Sequence, residues 1–145
     1  MFRNRTRLYN EAKNKGYSFV SYISSKAFVW HNVKIGENCF IFENNVIQYK
    51  AEIGNNIIIW SGNYIGHSSK IKDNCFITAN TSVSAFTEVS EGCFVGVGSI
   101  LLDNLKIAKN SVIGAGAVVL KNTEPEKVYI GNPAKALDKN VYEIF

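Results

Sequence analysis

From Ile23 to Val119 every sixth residue is Ile, Val or Leu. The series is Ile23, Val29, Ile35, Ile41, Ile47, Ile53, Ile59, Ile65, Ile71, Ile77, Val83, Val89, Val95, Leu101, Ile107, Ile113, Val119, seventeen places of seventeen without an insertion. A helix repeats at about 3.6 residues and a simple strand at about 2, so neither produces an isolated period of six. A triangular coil does: each side holds a short strand that turns one aliphatic residue inward before the chain bends. Three sides make one coil of eighteen residues, and the pattern predicts an all-β solenoid, a parallel β-helix, over residues 23–122.

The eighteen-residue period is also visible directly, in IGENCFI (35–41), IGNNIII (53–59), IKDNCFI (71–77), VSEGCFV (89–95) and IAKNSVI (107–113). Asn38, Asn56, Asn74, Gly92 and Asn110 recur at one place, and these residue types tolerate the left-handed backbone of a tight corner. Residues eighteen apart then stack at about 4.8 Å. Cys39, Cys75 and Cys93 fall in one such column, two places before the aliphatic position, where Ala27, Ala51, Ser69, Ser99, Ser111 and Ala117 also occur. No CxxC or Cys/His spacing accompanies them, so they read as small buried side chains.

The ends break the pattern. Residues 6–15, TRLYNEAKNK, with Thr6 as N-cap and Gly16 as stop, predict a short helix within an N-terminal cap over 1–22. Residues 123–145 hold both prolines, Pro125 and Pro133, and predict a loop and helix folding back over the last coil. With 46% apolar residues in 145 the chain forms one domain with a real core. No apolar run approaches the ~18 residues of a membrane span and the charged N-terminus lacks a signal peptide, so a cytoplasmic location is expected. Sixteen Lys+Arg against twelve Asp+Glu leave +4, spread along the chain. That distribution excludes a nucleic-acid surface and suits a small anionic ligand.

Chemistry has few candidates. The two histidines, His31 and His67, share one corner column with Tyr49, Ala85, Asp103 and Lys121. Two coils separate them by roughly 10 Å, too far to share a metal ion, so no metal is expected. His67, in NYIGHSSKI, follows Gly66 at a corner, where an imidazole outside the core can take a proton from an attacking hydroxyl or amine. A solvated turn histidine is the alternative reading of the same position, and it is the favoured one for His31. Gly96, Gly98, Gly114 and Gly116 recur at eighteen-residue spacing; they either open backbone groups along one edge, as a long ligand requires, or simply serve tight corners, which also favour glycine. Neither GxGxxG nor GxxxxGK[ST] is present.

With its unbroken ladder, NYIGHSSKI, CFVGVGS, VIGAGAVV and YIGNPAKAL, the chain resembles the hexapeptide-repeat acyltransferases, and more narrowly the sialic-acid O-acetyltransferase type of bacterial sugar O- and N-acetyltransferases. The resemblance implies a left-handed β-helix, a homotrimer with active sites between subunits, and acetyl transfer from acetyl-CoA to an amine or hydroxyl of a nucleotide-linked amino sugar in surface-polysaccharide synthesis. His67 matches the catalytic base. Ala85 would supply a backbone N–H to the thioester oxygen, and coenzyme A would run past Val97 and Ala115, with Lys121, Lys135 and Lys139 toward its phosphates. Two departures stand out: Ser68 follows the histidine where relatives often carry glutamate, and the N-terminal Rossmann-like domain of full-length relatives is represented only by what looks like its last helix. They leave a second reading, a catalytically silent β-helix acting as a binding or scaffold subunit.

Overall fold

The structure, a computed structural model, describes residues 2–144, with side chains over 4–143. Seventeen two-residue strands follow one another, and each ends on a member of the six-residue series. They stack into three parallel sheets. Sheet A starts at Tyr22–Ile23, sheet B at Phe28–Val29 and sheet C at Lys34–Ile35, and each gains a strand every eighteen residues. Register is one coil per step, as in Phe40 opposite Ile58 and Ile41 opposite Ile59. The chain is a left-handed parallel β-helix.

The corners adopt the backbone their residue types favour. Asn38, Asn56, Asn74 and Asn110 have φ between 54° and 64°, and Gly92 has 68°. Inside, the ladder from Ile41 to Val119 is buried throughout. The small column serves the corners: Cys39, Cys75 and Cys93 each aim Sγ at a carbonyl oxygen fifteen residues on, all at 3.1 Å. Ser69 Oγ donates likewise to the Ser84 carbonyl at 2.8 Å. Burial pushes the Cys75 thiol well above its ordinary pKa, which suits a packing role.

Both ends differ from the sequence expectation. Helix α1 spans Phe2–Asn14, so Thr6 lies inside it and is not its N-cap. Gly16 does stop it: the Gly16 N–H donates to the Lys13 carbonyl and the Tyr17 N–H to the Ala12 carbonyl, a Schellman ending with Gly16 at φ 87°. The helix lies along the corner between sheets C and A, tied at Glu37, which accepts from Tyr9 Oη at 2.6 Å and from the Phe19 N–H at 3.2 Å and pairs with Lys13 at 2.6 Å. It does not cover the first coil, where Ile23 remains 43% exposed. These partners, Lys13 first, hold the Glu37 carboxyl down at about 2.

The C-terminal segment is mostly strand. Lys127–Ile130 joins sheet A in parallel beside Val112, but with sixteen residues between partners where the coils use eighteen. Lys135–Asn140 returns antiparallel, after Gly131 at φ 92° and a cis Asn132–Pro133 bond. The hairpin closes the last coil through Val118 N–H to Gly131 O and Ala134 N–H to Val118 O. Only α2, Val141–Ile144, is helical, capped by Asn140 Oδ1 and anchored by Val141 against Val112 and Val128.

Candidate active-site edge

His67 stands on the corner between sheets B and C. The neighbouring coils approach so closely there that a Cβ on Gly66 would lie 2.6 Å from the Ala85 nitrogen, which fixes glycine at that place. Ser68 takes φ 56° and completes the turn, with its N–H bonded to the Tyr49 carbonyl at 3.1 Å. The His67 side chain points outward, half-buried. Tyr49, one coil below, stacks on the imidazole at 5.3 Å and 19°, and Phe86, one coil above, meets it edge-on at 4.8 Å and 86°. Two aromatic rings, rather than an acid, orient this histidine. Its Nδ1 is buried and finds no hydrogen-bond partner among the described residues.

Ala85 follows one coil above His67. Its carbonyl accepts from the Asn104 N–H at 3.0 Å, while its own N–H meets no acceptor among the described residues. Asp103 and then Lys121 continue the same edge. Lys121 comes together with Lys135, Asn122, Tyr129 and Pro133 around a cavity of about 370 Å³ under the C-terminal hairpin. Lys139 is exposed on the outer strand and does not line it.

Val97 and Ala115 lie elsewhere. They occupy the corner between sheets A and B, in the column of Ala79, where a Cβ on Gly96 would come 2.6 Å from the Ala115 nitrogen. Val97 is 49% exposed and borders an apolar hollow of about 290 Å³ with Trp60, Phe76 and Thr78. One side of the triangle, the full width of sheet B, separates this corner from His67. Within one chain, Ala85 therefore falls on one edge, and Val97 and Ala115 on another. The arithmetic shows why, since 97 and 85 differ by twelve residues, two sides of a coil and not a whole one.

His31 sits two coils below His67, exposed beside Trp30. No group of three His, Cys, Asp or Glu side chains that could hold a metal ion occurs among the described residues. Reasoning from sequence put Tyr49 in the His67 column without giving it a role and missed Phe86, which stands nineteen places after His67.

The coil is a hexapeptide β-helix, and residues 32–67 match the family model described as bacterial transferase hexapeptide (six repeats). Among solved structures the chain is similar to perosamine N-acetyltransferase from Caulobacter crescentus, a histidine variant in complex with CoA and GDP-perosamine: TM-score 0.92, 27% identity, over 95% of this chain and 66% of that one. PerB from Caulobacter crescentus, with the same two ligands, gives 0.91 at 28% over 93% and 65%. The acetyltransferase domain of PglB from Neisseria gonorrhoeae, with acetyl coenzyme A, gives 0.89 at 23% over 94% and 66%, a likeness of fold. The chain thus spans just under two thirds of these proteins. No curated protein sequence matches it.

Proposed function

We propose that the chain is an acetyl-CoA-dependent acetyltransferase that modifies an amine or hydroxyl of a nucleotide-linked sugar for surface-polysaccharide synthesis, working as a cytoplasmic homotrimer. The observation that carries this reading is the corner at His67: an outward imidazole held by two rings, one coil below an unpaired backbone N–H at Ala85. The relatives with bound CoA and nucleotide sugar support the two substrates, and the substitution of a histidine in one of them fits a histidine-dependent reaction.

His67 takes the acceptor proton through the ring nitrogen not buried at Nδ1, as the acceptor atom bonds to the acetyl carbon. The Ala85 N–H meets the carbonyl oxygen as it gains charge. The carbon–sulfur bond then breaks, and the proton passes to the departing thiolate. The separation of the Val97 and Ala115 edge from the His67 edge supports assembly, because the missing half of the groove must come from a neighbouring subunit. Lys121 and Lys135 face the phosphates of the coenzyme across the hairpin cavity.

His67→Ala is expected to lower kcat by roughly 100-fold or more with coenzyme Kd nearly unchanged, as for a lost general base. The rate of free thiol release from acetyl-CoA measures it, and unaltered turnover rules the base out. The orphaned Nδ1 favours a second reading, the silent scaffold: for the other nitrogen to be basic, Nδ1 must carry the proton, and burying an unpaired N–H costs about 1–3 kcal/mol. Absence of transfer to every nucleotide amino sugar tried, with coenzyme bound, would select it.

A further inference from the structure

Below His67 the same edge carries a row of side chains that the reaction above does not use. Tyr49 comes first, and Trp30 lies against it at 6.4 Å and 60°. Phe28 meets Trp30 at 5.8 Å, nearly edge-on, and the His31 ring also lies 5.8 Å from it. These rings are open: Phe28 is 52% exposed, and Trp30 and Tyr49 are each 39% exposed. Lys50, at φ 57°, places its Nζ 5.7 Å from the centre of the Tyr49 ring. Aromatic faces and the Lys50 ammonium thus run from the imidazole toward the N-terminal coils. In the opposite direction the edge leads to Ala85, Asp103 and Lys121, the stretch assigned to the coenzyme. Two substrates that react at His67 must reach it from different sides, and the lower side is the one left for the acceptor.

We propose that Trp30, Tyr49 and Lys50 form the acceptor platform, on which a nucleoside diphosphate sugar lies with its base against Trp30, its diphosphate at Lys50 and its sugar at His67. The proposal rests on the reading of His67 as the reacting corner. Bases stack on aromatic faces whatever their identity, and a lysine ammonium binds phosphate as a point charge. The span fits as well: two coils between the levels of His67 and His31 make roughly 10 Å, which the ribose and diphosphate between base and sugar can bridge. The platform also contains no side chain that reads one base's edge among the residues named, so it selects for the nucleoside diphosphate more than for the base.

Calorimetric titration of the full chain with UDP, GDP, dTDP and, separately, CoA tests this. At least one nucleoside diphosphate is expected to bind saturably, and Trp30→Ala and Lys50→Gln are each expected to weaken it by roughly tenfold or more, while Trp30→Phe retains most of the affinity. CoA affinity stays within about twofold in all three, which also reports that they fold. The platform is overturned if CoA binds and none of the three nucleotides does, as when a second copy of the chain covers these rings, or if nucleotide affinity is indifferent to both Trp30→Ala and Lys50→Gln. Failure of the underlying reading looks different: His67→Ala would keep full turnover while nucleotide binding still depended on Trp30.

Discussion

Sheets B and C meet at the His67 corner, share one backbone geometry and point the same aliphatic ladder inward, yet their outer surfaces are opposites. Sheet B turns out Phe28, Val46, Tyr64, Ser82, Ile100 and Val118, while sheet C turns out Lys34, Glu52, Lys70, Glu88 and Lys106 in strict alternation of charge. Partners on adjacent strands pair, Lys70 with Glu52 at 3.7 Å and Lys106 with Glu88 at 3.5 Å. Such exposed pairs contribute only about 0–1 kcal/mol each. Their effect is to keep sheet C in water, since no flat apolar surface can stack on a charged lattice. On sheet B, Tyr64 at 42% and Ile100 at 40% exposure present apolar area that a neighbouring subunit can cover. Inward positions specify the coil; outward ones decide what may approach each side.

The strongest challenge to that division is a substitution inside. Ile77→Ala, fully buried on sheet A, is expected to cost about 2–5 kcal/mol and to show as a large fall in unfolding temperature, whichever outer face lies nearest. An equal cost from an outward residue such as Ile100→Ala in a dissociated chain would break the distinction. Next comes a matched pair outside. Tyr64→Arg on sheet B is expected to dissociate the proposed trimer in sedimentation, whereas Glu88→Arg on sheet C leaves assembly intact. If the two behave alike, sheet B is not the covered face. The smallest effect concerns α1, which neither sheet holds. The Glu37 carboxyl is depressed from its ordinary 4.5 to about 2, so the stabilisation it gives is complete above 4.5 and is lost as pH falls toward 2. Hydrogen exchange along residues 2–14 should therefore rise in that window, and Glu37→Gln should flatten the dependence.

The coil was legible in the chain because its information is local and repeated. One aliphatic residue in six sets the inward ladder, and Asn or Gly once per coil marks a corner whose φ values agree. The column containing His67 was legible for the same reason. Side-chain direction was not: eighteen-residue spacing brings Tyr49 beneath His67, but it does not say that the two rings turn outward and stack. The two-edge separation of Ala85 from Val97 could be counted, since they stand twelve residues apart. The tail escaped because its register shortens from eighteen to sixteen, so Val128 pairs with Val112 outside any period the repeat announces. The start of α1 escaped for a simpler reason, since Arg3, Asn4 and Arg5 carry polar side chains that fit a helix or a loop equally.

The absence of any insertion between Ile23 and Val119 makes the molecule a ruler with evenly spaced marks. Removing eighteen residues between His67 and Lys121 would bring the histidine and the hairpin lysines closer by one mark, roughly 4.8 Å, with every corner still the same corner. Removing six would instead swing everything beyond the cut round to the next side of the triangle, setting aromatic surface where charge had been. Ligands of different length can thus be accommodated by whole coils gained or lost, while the chemistry at His67 stays in place.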